Sequence, residues 1–145
     1  MKLLKFILIL LLCNIVNAQL VIAEELYQGT INGELKISLY LKMQETGCPS
    51  TIVNAIYKYD NNKTNNWILL DVIFSENNNW YTLVEHYNTG VLLLKKEGEV
   101  FTGYWISPDG EKKLKVNLRK VKTKKSKITE LNDKLEYENY SASDC

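Results

Sequence analysis

The chain has 145 residues, a nearly even balance of 18 Lys plus Arg against 17 Asp plus Glu, one histidine and three cysteines. That length suits one domain with a real core. The even charge gives no global drive towards nucleic acid. A lone histidine falls short of the ligand set of an ordinary zinc site, so no metal, cofactor or nucleic-acid partner is expected.

The N-terminal residues come in a fixed order. Lys2 and Lys5 precede the unbroken apolar run 6–12, and Val16-Asn17-Ala18 places small or aliphatic groups where an export protease cuts. This is the pattern of a signal peptide over residues 1–18, leaving Gln19 as the new N-terminus, with Val21-Ile22-Ala23 as a second candidate site. The apolar run is too short to cross a bilayer core of about 30 Å as a permanent helix. The expectation is a secreted or periplasmic protein with no membrane association after cleavage. Cys13 offers the alternative of an outer-membrane lipoprotein. A lipid-modified cysteine normally follows a small residue and here follows Leu12, so Cys13 reads as part of the discarded segment. Cleavage removes two lysines and no acids, which leaves 16 basic against 17 acidic residues and a net charge of −1. Cys48 and Cys145 remain. An oxidising compartment permits a single bridge between them, and closing a loop of about a hundred residues contributes roughly 4 kcal/mol in the chain-entropy description.

From residue 26 onward the sequence is a succession of short alternating runs broken by turn residues. A first strand is expected over 26–31. Asn32-Gly33 follows, a type I′ hairpin signal because both residues tolerate positive φ. Leu35, Ile37, Leu39, Leu41 and Met43 then alternate with polar partners, the period-two pattern of a sheet buried on one face. Gly47-Cys48-Pro49-Ser50 reads as a loop. A third strand is expected over 52–59, with Ala55, Tyr57 and Tyr59 on one face, and a fourth over 67–74, apolar on both faces except for Asp71. Asn-rich turns at 60–66 and 76–79 bound it. Further strands are expected over 80–87, 91–96, 100–107 and 112–121, joined by Asn88-Thr89-Gly90, Glu97-Gly98-Glu99 and Pro108-Asp109-Gly110. Eight strands joined by hairpin-length turns close naturally on themselves and abolish both edges. The predicted fold is therefore all-β, an eight-stranded antiparallel up-and-down barrel over 19–121, with a two-sheet sandwich as the alternative. The charged tail 122–145 carries Ile128, Leu131 and Leu135 at helical spacing, with Ser126 as a candidate cap. It reads as a short helix that packs on the barrel or closes a mouth, or as a frayed terminus.

Tyr27-Gln28-Gly29-Thr30-Ile31, Ile37-Ser38-Leu39-Tyr40-Leu41, Tyr57-Lys58-Tyr59, Thr89-Gly90-Val91 and the run from Gly103 to Lys113 stand in an order that resembles small exported β-barrel domains of Bacteroidetes-type bacteria. The shape is also similar to lipocalin-like and avidin-like barrels, although the N-terminal Gly-x-Trp of lipocalins is missing. The resemblance implies a barrel built on structural glycines, aromatics and turns. It brings no catalytic set and no activity.

Three groups of residues are candidates for function. Tyr57, Tyr59, Trp67, Trp80, Tyr81 and Trp105 are many aromatics for so small a domain, and each Tyr or Trp joins an apolar body to a polar handle, as recognition surfaces require. Asp71 and Glu85 are the two acids set inside apolar strands; if both faced the interior they could form an acid–base pair. Lys112, Lys113, Lys115, Arg119, Lys120, Lys122, Lys124, Lys125 and Lys127 concentrate positive charge in and after the last strand. His86 and Glu85 are adjacent on a strand and so face opposite ways, and no Gly-x-Ser-x-Gly elbow accompanies them. The reading is an exported, non-enzymatic binding protein that holds a small apolar ligand inside or a partner protein outside, as inhibitor and immunity proteins do. A barrel hydrolase or isomerase using Asp71 and Glu85, and a structural accessory of an envelope complex, are the alternatives.

Overall fold

A computed structural model of the chain describes residues 20–46 and 50–144. The expected signal peptide, Cys13, and the Cys48–Cys145 bridge lie outside the described residues. Within them, the alternating runs become β1 (Val21–Ile31), β2 (Leu35–Thr46), β3 (Ser50–Tyr59), β4 (Ile68–Ser75), β5 (Trp80–Glu85), β6 (Val91–Glu97), β7 (Val100–Ile106) and β8 (Lys113–Lys120), followed by helix α1 (Lys125–Ser143). Each strand pairs antiparallel with its sequence neighbour, and β8 returns to β1 through Tyr27↔Lys120 to Ile31↔Val116, closing the barrel. The sandwich alternative is thereby set aside.

Period-two alternation puts one side of every strand on the axis. Tyr27, Ile31, Ile37, Leu39, Leu41, Ala55, Tyr57, Leu70, Tyr81, Leu83, Leu92, Leu94, Phe101, Val116 and Leu118 form a continuous buried core, with Phe74, Trp105 and Leu114 packed against it. Tyr27 and Tyr81 both meet Phe101 edge-on, with ring centroids 4.6 and 5.0 Å apart. Asn32-Gly33 turns the first hairpin with φ of 55° and 76°, the left-handed values the dipeptide signals. Gly29 and Gly103 let strands approach closely. A Cβ on Gly29 would lie 2.0 Å from the Asn117 carbonyl oxygen, and one on Gly103 1.9 Å from that of Leu93.

On the outside, α1 lies against the wall. Leu131 and Leu135 seal over Leu26, Tyr40, Ile56 and Trp67, with Ile128, Leu69 and Val121 at the margin. Tyr40 donates to Asn132 Oδ1 at 2.8 Å, and Asn132 in turn donates to Glu24 at 2.6 Å. The tail thus becomes a helix on the outer wall, not a plug in a mouth. It starts one residue before Ser126; Lys124 occupies the cap position and makes no side-chain capping bond. No helix among the described residues is long and apolar enough to cross a membrane.

Candidate functional site: a polar knot inside and an open wall outside

β4 faces the interior with Ile68, Leu70, Val72 and Phe74, so Asp71 and Ile73 face out. Register then decides the two acids. Glu85 stands opposite Leu70 and points inward, whereas Asp71 stands opposite Val84 and points to solvent. Asp71 is 65 % exposed and lies 3.5 Å from His86 Nδ1, in an arrangement that leaves that nitrogen without a proper hydrogen bond. Glu85 is only 4 % exposed. The acid–base pair expected from the sequence does not assemble, because one residue of register separates an inward from an outward side chain.

Glu85 is held instead in a closed polar knot at the barrel end that carries the turns 32–34, 60–67, 86–90 and 107–112. Tyr57 and Thr89 donate hydroxyl hydrogens to its carboxylate, and Trp105 Nε1 donates at 2.9 Å. The Tyr59 hydroxyl lies 3.2 Å from that of Tyr57. Burial first, then the bond to Glu85, push the Tyr57 pKa far above the ordinary 10. Gly90 makes room: a Cβ there would sit 2.4 Å from Trp105 Nε1 and 2.6 Å from Glu85 Oε1. Three donors on one carboxylate satisfy a group that would be costly to bury alone.

A second knot closes the opposite end. Glu25 accepts from Tyr27 at 2.7 Å and Lys96 at 2.6 Å on one oxygen, and from Lys120 at 2.7 Å on the other. Burial pushes the Glu25 pKa up, but the bonds from Lys120, Lys96 and Tyr27 outweigh it and hold the value at about 2. Nearby, burial and the charge of Glu25 raise the Tyr81 pKa to about 12.

The six aromatic candidates therefore fall in four places. Tyr57, Tyr59 and Trp105 gather at Glu85. Tyr81 stacks on Phe74 in the core with ring centroids 4.5 Å apart. Trp67 is buried under α1, beside a crevice of about 100 Å³ that also touches His86, Tyr87 and Glu138. Trp80 alone of the six stands in solvent, 44 % exposed.

The wall away from α1 is the surface that stays open. Its rungs can be read across the ladder: Ile73–Thr82–Leu93–Tyr104–Lys115, and beside it Ser75–Trp80–Lys95–Thr102–Asn117. Ile73 is 71 % and Tyr104 38 % exposed. Trp80, Lys95, Thr102, Gly103, Tyr104, Lys115 and Asn117 line a shallow groove of about 370 Å³. Lys113 Nζ stands 4.2 Å over the Tyr104 ring. The basic run of the sequence divides here. Lys113, Lys115 and Arg119 belong to the outer wall, Lys120 turns in to Glu25, and Lys127 pairs with Glu130 on α1 at 2.5 Å. Tyr104 belongs to this groove but not to the six candidates; its signal was its outward parity beside the lysines of the next strand. Among the described residues no three His, Cys, Asp or Glu side chains gather as a metal site. Comparison with protein-family models, curated proteins and solved structures finds no match for this chain.

Proposed function

We propose that the protein is an exported, non-enzymatic binding protein that holds its ligand on the outer wall formed by β5–β8 and not along the barrel axis. One observation carries this reading. The axis is occupied by packed core side chains from Tyr27 to Leu118, with polar knots at both ends, while the outer face that α1 leaves uncovered keeps Ile73, Trp80 and Tyr104 in solvent. Exposed aromatics on a rigid sheet lose little side-chain entropy when they bind, and an eight-stranded barrel has an interior that is either filled or holds one small ligand. The ordered N-terminal pattern of charge, apolar run and small residues supports export. The Glu85 carboxylate, already committed to three donors, supports a structural role for that residue.

The test is native mass spectrometry of the mature protein recovered from its producing cells, followed by titration with a fluorescent fatty acid. The expected result is a chain beginning at Gln19 that carries no stoichiometric apolar molecule and shows no saturable fatty-acid binding. A tightly held apolar ligand released only on unfolding would overturn the outer-wall reading.

A further inference from the structure

The groove on the outer wall has a chemistry of its own. Trp80 and Tyr104 stand on β5 and β7, with β6 between them and a two-residue step along the strand. Two strand spacings and that step put their Cα atoms about 12 Å apart. Lys95 lies between them on β6, and Thr102, the bare backbone of Gly103, Val116 and the amide of Asn117 complete the groove on β7 and β8. Lys95 and Lys115 both line the groove, and no acidic side chain lines it. Lys95 is steadied by Glu97 at 2.7 Å from outside the groove, and Lys113 covers the Tyr104 ring likewise from outside it.

We propose that this groove binds an acidic glycan, a chain containing uronic-acid units. The proposal rests on the outer-wall reading and names the ligand class for it. The Trp80 ring, and the face of Tyr104 that Lys113 leaves uncovered, offer flat apolar surface to the C–H side of a sugar. The Thr102 hydroxyl and the Asn117 amide beside the rings meet sugar hydroxyls, and Lys95 and Lys115 meet carboxylates by charge complementarity. A protein partner of the same charge would place its strongest contacts in pockets sealed from water. This groove is shallow and open along its length, which suits a chain lying lengthwise across it.

The experiment is calorimetric titration of the whole mature protein with short galacturonan oligomers, with their methyl-esterified, uncharged counterparts, and with poly-glutamate. Saturable binding of the galacturonan oligomers is expected, weakened at least tenfold in Trp80→Ala and several-fold in Lys115→Gln. Lys63→Gln in the remote 60–67 turn leaves it unchanged, and the methyl esters bind at least tenfold more weakly. Thermal melts of each variant, expected to match the parent because these side chains are exposed, separate lost binding from lost fold. Absence of binding to the galacturonan oligomers overturns the glycan proposal. Poly-glutamate binding as tightly, with the same dependence on Trp80, also overturns it but leaves the outer-wall reading standing. Galacturonan binding that Trp80→Ala does not weaken overturns the groove as the site.

Discussion

At the end of β5, the alternation that sends Tyr81 and Leu83 inward also carries the Glu85 carboxylate into the barrel, where Tyr57, Thr89 and Trp105 converge on it from β3, the 86–90 turn and β7. A buried acceptor that loses one donor keeps much of its desolvation cost, so Tyr57→Phe is expected to destabilise the fold by about 1–3 kcal/mol in urea unfolding followed by circular dichroism. A change below a few tenths of a kcal/mol would mean that the knot holds nothing. Glu25 makes a different statement. Its folded-state pKa of about 2 lies below the ordinary 4.5, so the native protein keeps the carboxylate ionised where the unfolded chain already binds a proton. The resulting stability is complete above pH ~5 and is lost as the pH falls towards 2. Allowing for solvent at the barrel mouth, it amounts to roughly 2 kcal/mol. Glu25→Gln is therefore expected to be less stable than the parent at pH 7 and to show a shallower acid dependence, with the two curves converging near pH 2. Glu85 was visible in the sequence as an acid inside an apolar strand. Glu25 was not, because the alternating pattern begins only at Leu26, and its lysine partners lie 71 and 95 residues away in the chain.

Among the elements, β3 and β4 are the least tightly joined pair. Their described register runs only from Ala55↔Leu70 to Tyr57↔Ile68, whereas β2 and β3 pair from Ile37↔Tyr59 to Thr46↔Ser50. α1 lies over this short join, with Leu131 and Leu135 on Ile56 and Trp67 and with Leu69 at the margin. The helix thus straps from outside what the ladder holds weakly. Leu131→Ala is expected to cost about 2–4 kcal/mol through the cavity it leaves. It should also speed amide exchange most in β4, read by hydrogen-exchange mass spectrometry; uniform loss of protection across all strands would refute the strap. The helix was legible in Ile128, Leu131 and Leu135, but Tyr40, which the alternation put on the wetted face of β2, is instead buried beneath it. Which wall it covers was not legible, since spacing defines a stripe and not the surface that receives it.

At the scale of the whole molecule, closure depends on strands that bend past each other where no side chain intervenes. Gly103→Ala would drive a methyl into the Leu93 carbonyl oxygen. Backbone cannot rotate away as a side chain can, so the expected loss is about 3 kcal/mol in chemical denaturation. Thr102→Ala, one residue away and outward, is expected to stay within about 0.5 kcal/mol of the parent. Eight strands, their order, the Asn32-Gly33 turn and the inward set of β2 and β8 were all determined by the sequence alone, because side-chain alternation and turn chemistry act between neighbours along the chain. Whether Asp71 or Leu70 faces the axis, which aromatics meet Glu85, and which wall stays open to solvent were decided only by the tertiary structure. β4 is apolar on both faces, so its parity gave no preference until pairing with β3 and β5 fixed the register and the docking of α1 gave Trp67 and Leu69 an apolar partner outside the barrel.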